Sequence, residues 1–272
     1  MKPQCSIIMP CYKAKDYIAK SIQSIQQQTL SDWELIIIDD ASMDDTVDYI
    51  NEQFVKLDSR IRLIALENNS GAAVARNKAI ESARGQYIAF LDSDDLWVPS
   101  KLEKQICFMK KNGYALTFTA YDKADVKGNV LGCVGVPEQV NYRELLKTNV
   151  IGCSTAIYDV SVLGKIYMPL IRKRQDFGLW LRILKKVDYA MGINEPLTIY
   201  TVRKGSVSAN KKEAAKYTWR LYRDVEKLPL LPCLYYFAHY AIRGVLRSKF
   251  PNLARVLGVL PELNWFEIFL YS

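Results

Sequence analysis

The stretch QYIAFLDSDDLW, Gln86 to Trp97, constrains this chain more than any other. Tyr87 to Leu91 form an unbroken apolar run, the pattern of a strand buried on both faces in a sheet covered by helices. The run empties without a spacer into Asp92, Ser93, Asp94 and Asp95. In open α/β sheets the carboxyl ends of strands are where ligands settle. Crowded carboxylates repel one another unless a cation joins them. Oxygen donors of this kind suit Mg2+ or Mn2+, ions that accompany phosphate-bearing substrates. An EF-hand loop is excluded, because the sixth position from Asp92 is Trp97 where that motif requires glycine.

The remaining elements follow the same plan. Cys5 to Met9 is a short apolar strand stopping at Pro10-Cys11-Tyr12, after which Tyr17, Ile18, Ser21, Ile22 and Ile25 recur at helical spacing. Trp33 to Ile38 predicts a second strand that stops at Asp39-Asp40. Asp44 and Asp45 favour the start of a helix along which Val47, Ile50, Phe54 and Leu57 step by three and four. Ile61 to Leu66 predicts a third strand, and Ser70 is placed to cap a helix from Gly71 through Ala83. Pro99 suits the first turn of a helix faced by Leu102, Ile106 and Met109, and Tyr114 to Ala120 predicts a fifth strand. Alternation at this spacing implies an α/β fold of parallel β-α-β units, doubly wound, with helices on both faces. Right-handed crossovers then gather Met9-Pro10, Asp39-Asp40 and Asp92 to Asp95 at one edge.

What is missing narrows the chemistry. The first strand is followed by Pro10-Cys11-Tyr12-Lys13-Ala14-Lys15 where a dinucleotide fold needs G-x-G-x-x-G, and no P-loop occurs. The Gly-rich, Arg-containing loop expected of a nucleotidyltransferase is also absent. Phosphates must therefore be held by metal and side chains. With 272 residues, half of them apolar, the chain is expected to form one main domain and a smaller extension. Six cysteines without a C-x-x-C pair point to buried thiols in a reducing compartment. The first residues hold too short an apolar run for a secretory signal, so the cytosol is expected. The single histidine, His239, gives zinc or imidazole chemistry almost no material and is expected to pack or to sit at an interface.

Taken in order, the motifs resemble inverting glycosyltransferases of family 2 with the GT-A fold. The matching residues are Ser6 to Tyr12, Asp39-Asp40, Ser70-Gly71 through Ala75-Arg76-Asn77, Leu91 to Asp95, Arg174-Gln175-Asp176-Phe177 with Trp180-Leu181, and Tyr200 with Arg203, Ser206 and Ser208. The likeness runs from about Cys5 to Asn210 and is greatest to bacterial enzymes of surface-polysaccharide and teichuronic-acid-type synthesis. It implies that Pro10 and Tyr12 line a nucleoside pocket and that Asp40 accepts from the uracil N–H, which a cytosine ring lacks. Asp39 reads as a turn residue. Arg76 and Asn77 are implied at the diphosphate or donor sugar, with placement on a helix surface equally open. Asp94 is implied as the direct ligand of Mn2+ or Mg2+, with Asp92 at the ribose or the metal. Ser93 lies within the donor-binding turn, and Asp95 is implied to orient the donor sugar or to cap the turn before Pro99. Asp176, at the start of a helix whose Phe177, Trp180, Leu181 and Leu184 face the core, is implied as general base.

Two departures from the family pattern stand out. Gln175 occupies a position often held by glutamate, and Arg203 one often held by histidine. Arginine cannot ligate a metal but pairs with phosphate oxygens, so Arg203 is expected to help hold the diphosphate. The resemblance implies transfer, with inversion, from a UDP-sugar to a lipid-linked saccharide. A nucleotide-sugar-modifying enzyme or nucleotidyltransferase, and a non-catalytic nucleotide- or membrane-binding partner subunit, stay open at this point.

The expected division is a GT-A domain over 1–210, with a nucleotide-binding half over 1–120 and an acceptor-binding half over 121–210, followed by a basic, aromatic tail over 211–272. The tail carries ten Lys and Arg against five Asp and Glu. Leu228 to Ile242 has no formal charge but is interrupted by Pro232 and too short to span hydrocarbon. Arg243, Arg247, Lys249 and Arg255 follow, then a second apolar set from Leu257 to Leu270. Aromatic and basic faces together fit helices lying on an anionic inner leaflet, so residues 228–272 are expected to make the protein peripheral on the cytoplasmic face. Packing on the core and a homodimer are the alternatives. Nucleic-acid binding is disfavoured, since no motif for it occurs.

Overall fold

The computed structural model describes residues 2–203 and 211–258. The first part alternates strictly: β1 (Cys5–Cys11), α1 (Ile18–Gln26), β2 (Trp33–Asp39), α2 (Thr46–Ile50) continuing into a π turn over Asn51–Val55, β3 (Ile61–Ala65), α3 (Ala72–Ser82) and β4 (Tyr87–Phe90). A two-residue strand β5 (Leu96–Trp97), α4 (Lys101–Asn112), β6 (Leu116–Asp125), β7 (Val130–Val134), β8 (Gln139–Val140), α5 (Tyr142–Lys147), β9 (Ile157–Asp159) and α6 (Val160–Leu163) follow. The chain continues through α7 (Gln175–Leu184), β10 (Ala190–Val202), α8 (Lys211–Arg220) with a π turn over Leu221–Val225, α9 (Leu230–Lys249) and α10 (Pro251–Val256).

The strands form one sheet in the order β3-β2-β1-β4-β9-β6-β10-β5, with β7 on the outer part of β6 and β8 on β10. β3, β2, β1 and β4 are parallel, and β9 enters antiparallel between β4 and β6. Register aligns Cys11 with Asp39 and Asp39 with Ala65, so three strands end together. The Leu91 N–H donates to Ile8 O at 3.1 Å, which puts the acidic turn beside Met9-Pro10 on the same edge. The expected gathering of strand ends is therefore present.

Alternation along the strands divides the core between the two faces of the sheet. Ile8, Ile36, Ile38, Ile88 and Phe90 meet α3 and α7, including Phe177, Trp180, Leu181 and Leu184. Ile7, Met9, Leu35, Ile37 and Ala89 meet α1 and α4, including Leu102, Ile106 and Met109.

Several local expectations need correction. Ser70 does not cap α3. Gly71 is the N-cap residue, at φ 90, a left-handed conformation that suits glycine, and the Ser70 hydroxyl donates to Asn68 O at 3.1 Å. Asp45 sits at the N-cap of α2 without a side-chain cap bond, while Asp44 Oδ1 accepts from the Thr46 N–H at 3.1 Å. The helix expected through Leu57 gives way to the π turn after Ile50. The cysteines are all free: Cys5, Cys11 and Cys233 are buried, Cys133 and Cys153 are partly buried, and Cys107 is exposed. β6 runs across the expected boundary between 120 and 121. Ser206, Ser208 and the apolar residues from Val259 onward lie outside the described residues.

α8, its π turn and α9 pack on the main core through Leu221, Tyr222 and Cys233. Leu230, Leu231, Leu234, Tyr235, Ile242 and Val245 of α9 are all exposed, and the helix ends in the basic residues Arg247 and Lys249. His239 packs edge-on against Tyr235, ring centroids 4.6 Å apart. Among the described residues no helix is long and apolar enough to cross a membrane.

Candidate active site

The site forms where the ends of β1, β2 and β4 meet the end of β10 and the start of α7. Its nucleotide side is a set of backbone turns locked by carboxylates. Asp39, fully buried, accepts from the Ser42 N–H at 2.7 Å and the Ser42 hydroxyl at 2.6 Å, the turn role expected of it. Asp40 accepts from the Ser70 N–H at 2.7 Å on one oxygen and the Gly71 N–H at 2.8 Å on the other. Its negative charge thus sits at the start of α3, where the helix dipole favours it. Each oxygen keeps a second lone pair for a ligand donor. Tyr12 stands 44 % exposed at the rim, free to lie against a planar ring.

At the centre each of two carboxylates carries a guanidinium. Arg76, from α3, is buried and pairs with Asp92 Oδ1. Burial works most strongly against the Arg76 charge, but Asp92, Cys153 and Asp176 together outweigh it and the pKa rises. Arg76 Nε has no partner, an orphaned donor in the middle of the site. At the end of β10, Arg203 donates through Nε to Asp94 Oδ2 at 2.7 Å, and its guanidinium lies 4.1 Å from the Tyr17 ring centroid. Burial and the neighbouring Asp92 charge push the Asp94 carboxyl above the ordinary carboxylate range, against the pull of Arg203. The Ser93 side chain is mostly buried, and its carbonyl accepts from the Ser21 hydroxyl at 2.8 Å.

The donor set suits a hard divalent ion. It consists of carboxylate oxygens crowded enough to repel, with Asp92 and Asp94 each engaged by arginine through a single oxygen. Among the described residues no cluster of three His, Cys, Asp or Glu side chains has metal-binding geometry. An ion here would take only one or two oxygens from the protein, leaving the rest of its shell to phosphate and water, the usual habit of Mg2+.

Two residues expected at the donor have other duties. Asp95 is 2 % exposed, accepting from the Ser154 hydroxyl at 2.6 Å and the Thr201 N–H at 3.0 Å. It ties β10 to the turn. Asn77 is engaged at both ends of its amide by the backbone of Met168, at 2.7 and 3.0 Å. It pins the segment before α7, with one N–H of its amide left over. Ser154, which the sequence reading missed, is the hub of the turn. Besides donating to Asp95, it accepts from the Asp92 N–H at 3.1 Å, and its carbonyl receives the Trp97 indole N–H at 2.8 Å. No motif marks it, because it arrives from a short 3-10 turn over Cys153–Thr155, far along the chain.

Across the cleft lies Asp176, in the first turn of α7. Burial raises its pKa, opposed by the Arg174 charge, the Phe177 N–H and Arg76, while Asp92 adds to the rise. The charges of Asp92 and Arg76 thus both act on Asp176. Cys153 lies within the same field. Its thiol is raised by burial, with Arg76 opposing and Asp92, Asp176 and Asp95 reinforcing.

A mixed, mostly parallel α/β sheet with helices on both faces and an acidic turn at its strand ends is the architecture of glycosyltransferases of GT-A fold. The model for glycosyl transferase family 2 matches residues 6–163, and the chain belongs to that family. It is 46 % identical over 245 residues to TuaG of Bacillus subtilis, whose name places it as a glycosyltransferase of teichuronic acid biosynthesis, covering 90 % of this chain and 97 % of that one. It is 37 % identical to the Escherichia coli UDP-Glc:α-D-GlcNAc-diphosphoundecaprenol β-1,3-glucosyltransferase WfgD, covering 90 % and 95 %. Among solved structures, S. aureus TarS 1-349 in complex with UDP-GlcNAc superposes with TM-score 0.67 at 21 % identity, covering 93 % of this chain and 75 % of that one. The mannosyltransferase PcManGT of Pyrobaculum calidifontis in complex with GDP-Man and Mn2+ gives 0.66 at 16 %, covering 95 % and 79 %. The chain is a glycosyltransferase of surface-polysaccharide type.

Proposed function

We propose that the protein is an inverting transferase moving a hexose from a UDP-sugar to a hydroxyl of a polyprenyl-diphosphate-linked saccharide, at the cytoplasmic face of the membrane. The observation that most supports this reading is Asp176, at the start of α7, on which the Arg76 and Asp92 charges both act and whose carboxyl is held by burial above the ordinary carboxylate value. In a single displacement the acceptor hydroxyl gives its proton to Asp176. Its oxygen then attacks the anomeric carbon from the side opposite the diphosphate, and the C–O bond to UDP breaks with inversion. Tyr12 and Asp40 hold the uracil. Arg76, with its free Nε, and Arg203 meet the phosphate charge. Asp94 and Asp92 would hold a divalent cation, which supplies Lewis-acid stabilisation of the charge growing on the departing phosphate. The names of WfgD and TarS motivate the choice of UDP-glucose and UDP-GlcNAc as first donors and of GlcNAc-diphosphoundecaprenol as first acceptor.

A panel of UDP-sugars with Mn2+ or Mg2+, scored by release of UDP on addition of that acceptor, tests the assignment. Asp176→Asn is expected to lower transfer by about 10²–10⁴-fold while leaving UDP affinity within about twofold. Undiminished transfer by this variant would remove Asp176 from the chemistry, and release of a modified sugar nucleotide in place of UDP would overturn the reaction class.

A further inference from the structure

The helices beyond residue 210 grip the chain on both sides of Asp176. On the N-terminal side, Lys173 pairs with Glu213 of α8 at 2.5 Å. Arg174 Nη2 donates to the hydroxyl of Tyr240 on α9 at 2.7 Å, and its guanidinium stands 5.6 Å from the same ring centroid. On the C-terminal side, Phe177 meets Tyr222 edge-on at 6.2 Å, and Tyr222 donates to Leu146 O. Gly178 lies so close to Pro169 and Leu221 that an added Cβ would come within 2.4 and 3.1 Å of them. Arg174 also holds φ 65, a left-handed conformation costly for a non-glycine residue unless its surroundings enforce it. Its side chain is anchored by Tyr240, whose ring lies 6.0 Å from that of Phe237, and Phe237 in turn meets Trp219 edge-on at 5.3 Å.

From this geometry we infer that Tyr240 is a positioning residue for transfer: its hydroxyl fixes the Arg174 guanidinium, and through Arg174 the tail sets where the Asp176 carboxylate stands. The inference rests on the base assignment above and extends it. The tail is then part of the acceptor half of the enzyme, and what happens to α9 is felt at the carboxylate. Arg174 supplies both the charge that most favours the ionised base and the left-handed residue that starts α7, so losing its anchor lets the carboxylate drift from the acceptor hydroxyl. Donor binding, on the opposite side of the cleft, is left as it was.

The experiment compares full-length Tyr240→Phe, Arg174→Gln and the double variant with the parent chain. UDP affinity, acceptor-free hydrolysis of the UDP-sugar, and transfer to GlcNAc-diphosphoundecaprenol are all measured. Tyr240→Phe keeps the ring, so the tail should stay folded and its melting temperature close to the parent's. The expected result is an about tenfold fall in transfer kcat, with UDP affinity and donor hydrolysis within about twofold, since small misplacements of a reacting group cost that much or more. The double variant should transfer no worse than Arg174→Gln alone, because both changes break one link. Parental transfer by Tyr240→Phe, losses that simply multiply, or an equal fall in UDP affinity would each overturn the inference. Asp176→Asn separates the two readings. If it abolishes transfer and Tyr240→Phe does not alter it, only the tail's role fails; if Asp176→Asn is itself active, the base assignment fails with it.

Discussion

Lys101 shows how far one residue's chemistry can depart from its setting in the sequence. In the chain it is an ordinary lysine near the start of an amphipathic helix, yet in the fold it is fully buried with its amine unpartnered. Its Nζ lies 4.1 Å from the centroid of the Trp97 ring, beneath the acidic turn. Burial lowers its pKa from 10.5 to about 7. The unfolded chain thus holds this proton up to its ordinary value, whereas the folded chain begins to lose it near neutrality. More protons are bound by the unfolded state in that window, so this group makes stability climb as pH rises from about 7. Below that, the full cost of burying the charge is present, on the order of 4–5 kcal/mol, offset by about 2 from the cation–π contact. Lys101→Met keeps a flexible apolar stem against the ring and removes the cost. We expect a gain of about 1–3 kcal/mol at about pH 6 in urea unfolding, shrinking as pH approaches 9. A gain independent of pH would show that the folded chain keeps the amine protonated throughout, and that burial does not depress its pKa. Thiols such as Cys5, raised to about 12 by burial, work in the opposite sense only above their ordinary 9.0, which keeps the lower window clean.

At the level of elements, the parallel half was legible because each strand there is a mostly apolar run, broken only at Ser6, Glu34 and Arg62, and ended by an acidic or proline-bearing turn. The three acidic or turn clusters were legible for the same reason, since strand polarity forces their ends together. The antiparallel half was not. β9 inserts between β4 and β6, and β10 runs from Ala190 to Val202 through Pro196, a residue that discourages a strand assignment. Its pairing with β6 absorbs Pro196 through register shifts. Hence Asp95, legible as an acid but not as buried, turned out to be the staple between this strand and the turn, and Ser154 had no local signal at all. β10 acts as a strap that brings Arg203 onto Asp94, a pairing the sequence expected with phosphate instead. The two roles are compatible if the guanidinium exchanges the carboxylate for the diphosphate when donor and cation enter. Arg203→Ala then has two opposite effects measurable by calorimetry. UDP affinity in the presence of Mn2+ should fall about tenfold, as a charged hydrogen bond is worth about 1.5–3 kcal/mol. Binding of Mn2+ alone should tighten, because Asp94 loses the cation that competes for it. Unchanged affinity for UDP would leave Arg203 as a surface pair of Asp94 and nothing more.

Considered as a whole molecule, the chain carries its charge and its exposed apolar surface in the same place. Lys212, Lys216, Arg220 and Arg223 are spaced by four, four and three along α8 and its π turn, and all are exposed. That spacing puts them on one helical face. α9, which follows directly, presents Leu231, Ile242 and Val245 to solvent while Cys233, Phe237 and Tyr240 turn inward. A row of cations beside an apolar helix face, neither of them used by the core, is the pairing that an anionic lipid surface complements, since each basic residue near such a surface contributes about 1 kcal/mol. Full-length protein is therefore expected to sediment with phosphatidylglycerol vesicles and far less with pure phosphatidylcholine, the difference shrinking as salt screens the charges. Leu231→Asp with Ile242→Asp should lower vesicle binding at least tenfold without altering UDP affinity, because the outward side of α9 touches nothing in the nucleotide site. A different outcome is equally readable: protein that stays in the supernatant but sediments as a dimer, broken by the same pair of changes, would assign this face to a second copy of the chain. Either way the consequence reaches the chemistry, for the inward side of the same helix carries Tyr240, and whatever covers α9 from outside restrains the residue that holds Arg174 beside the base.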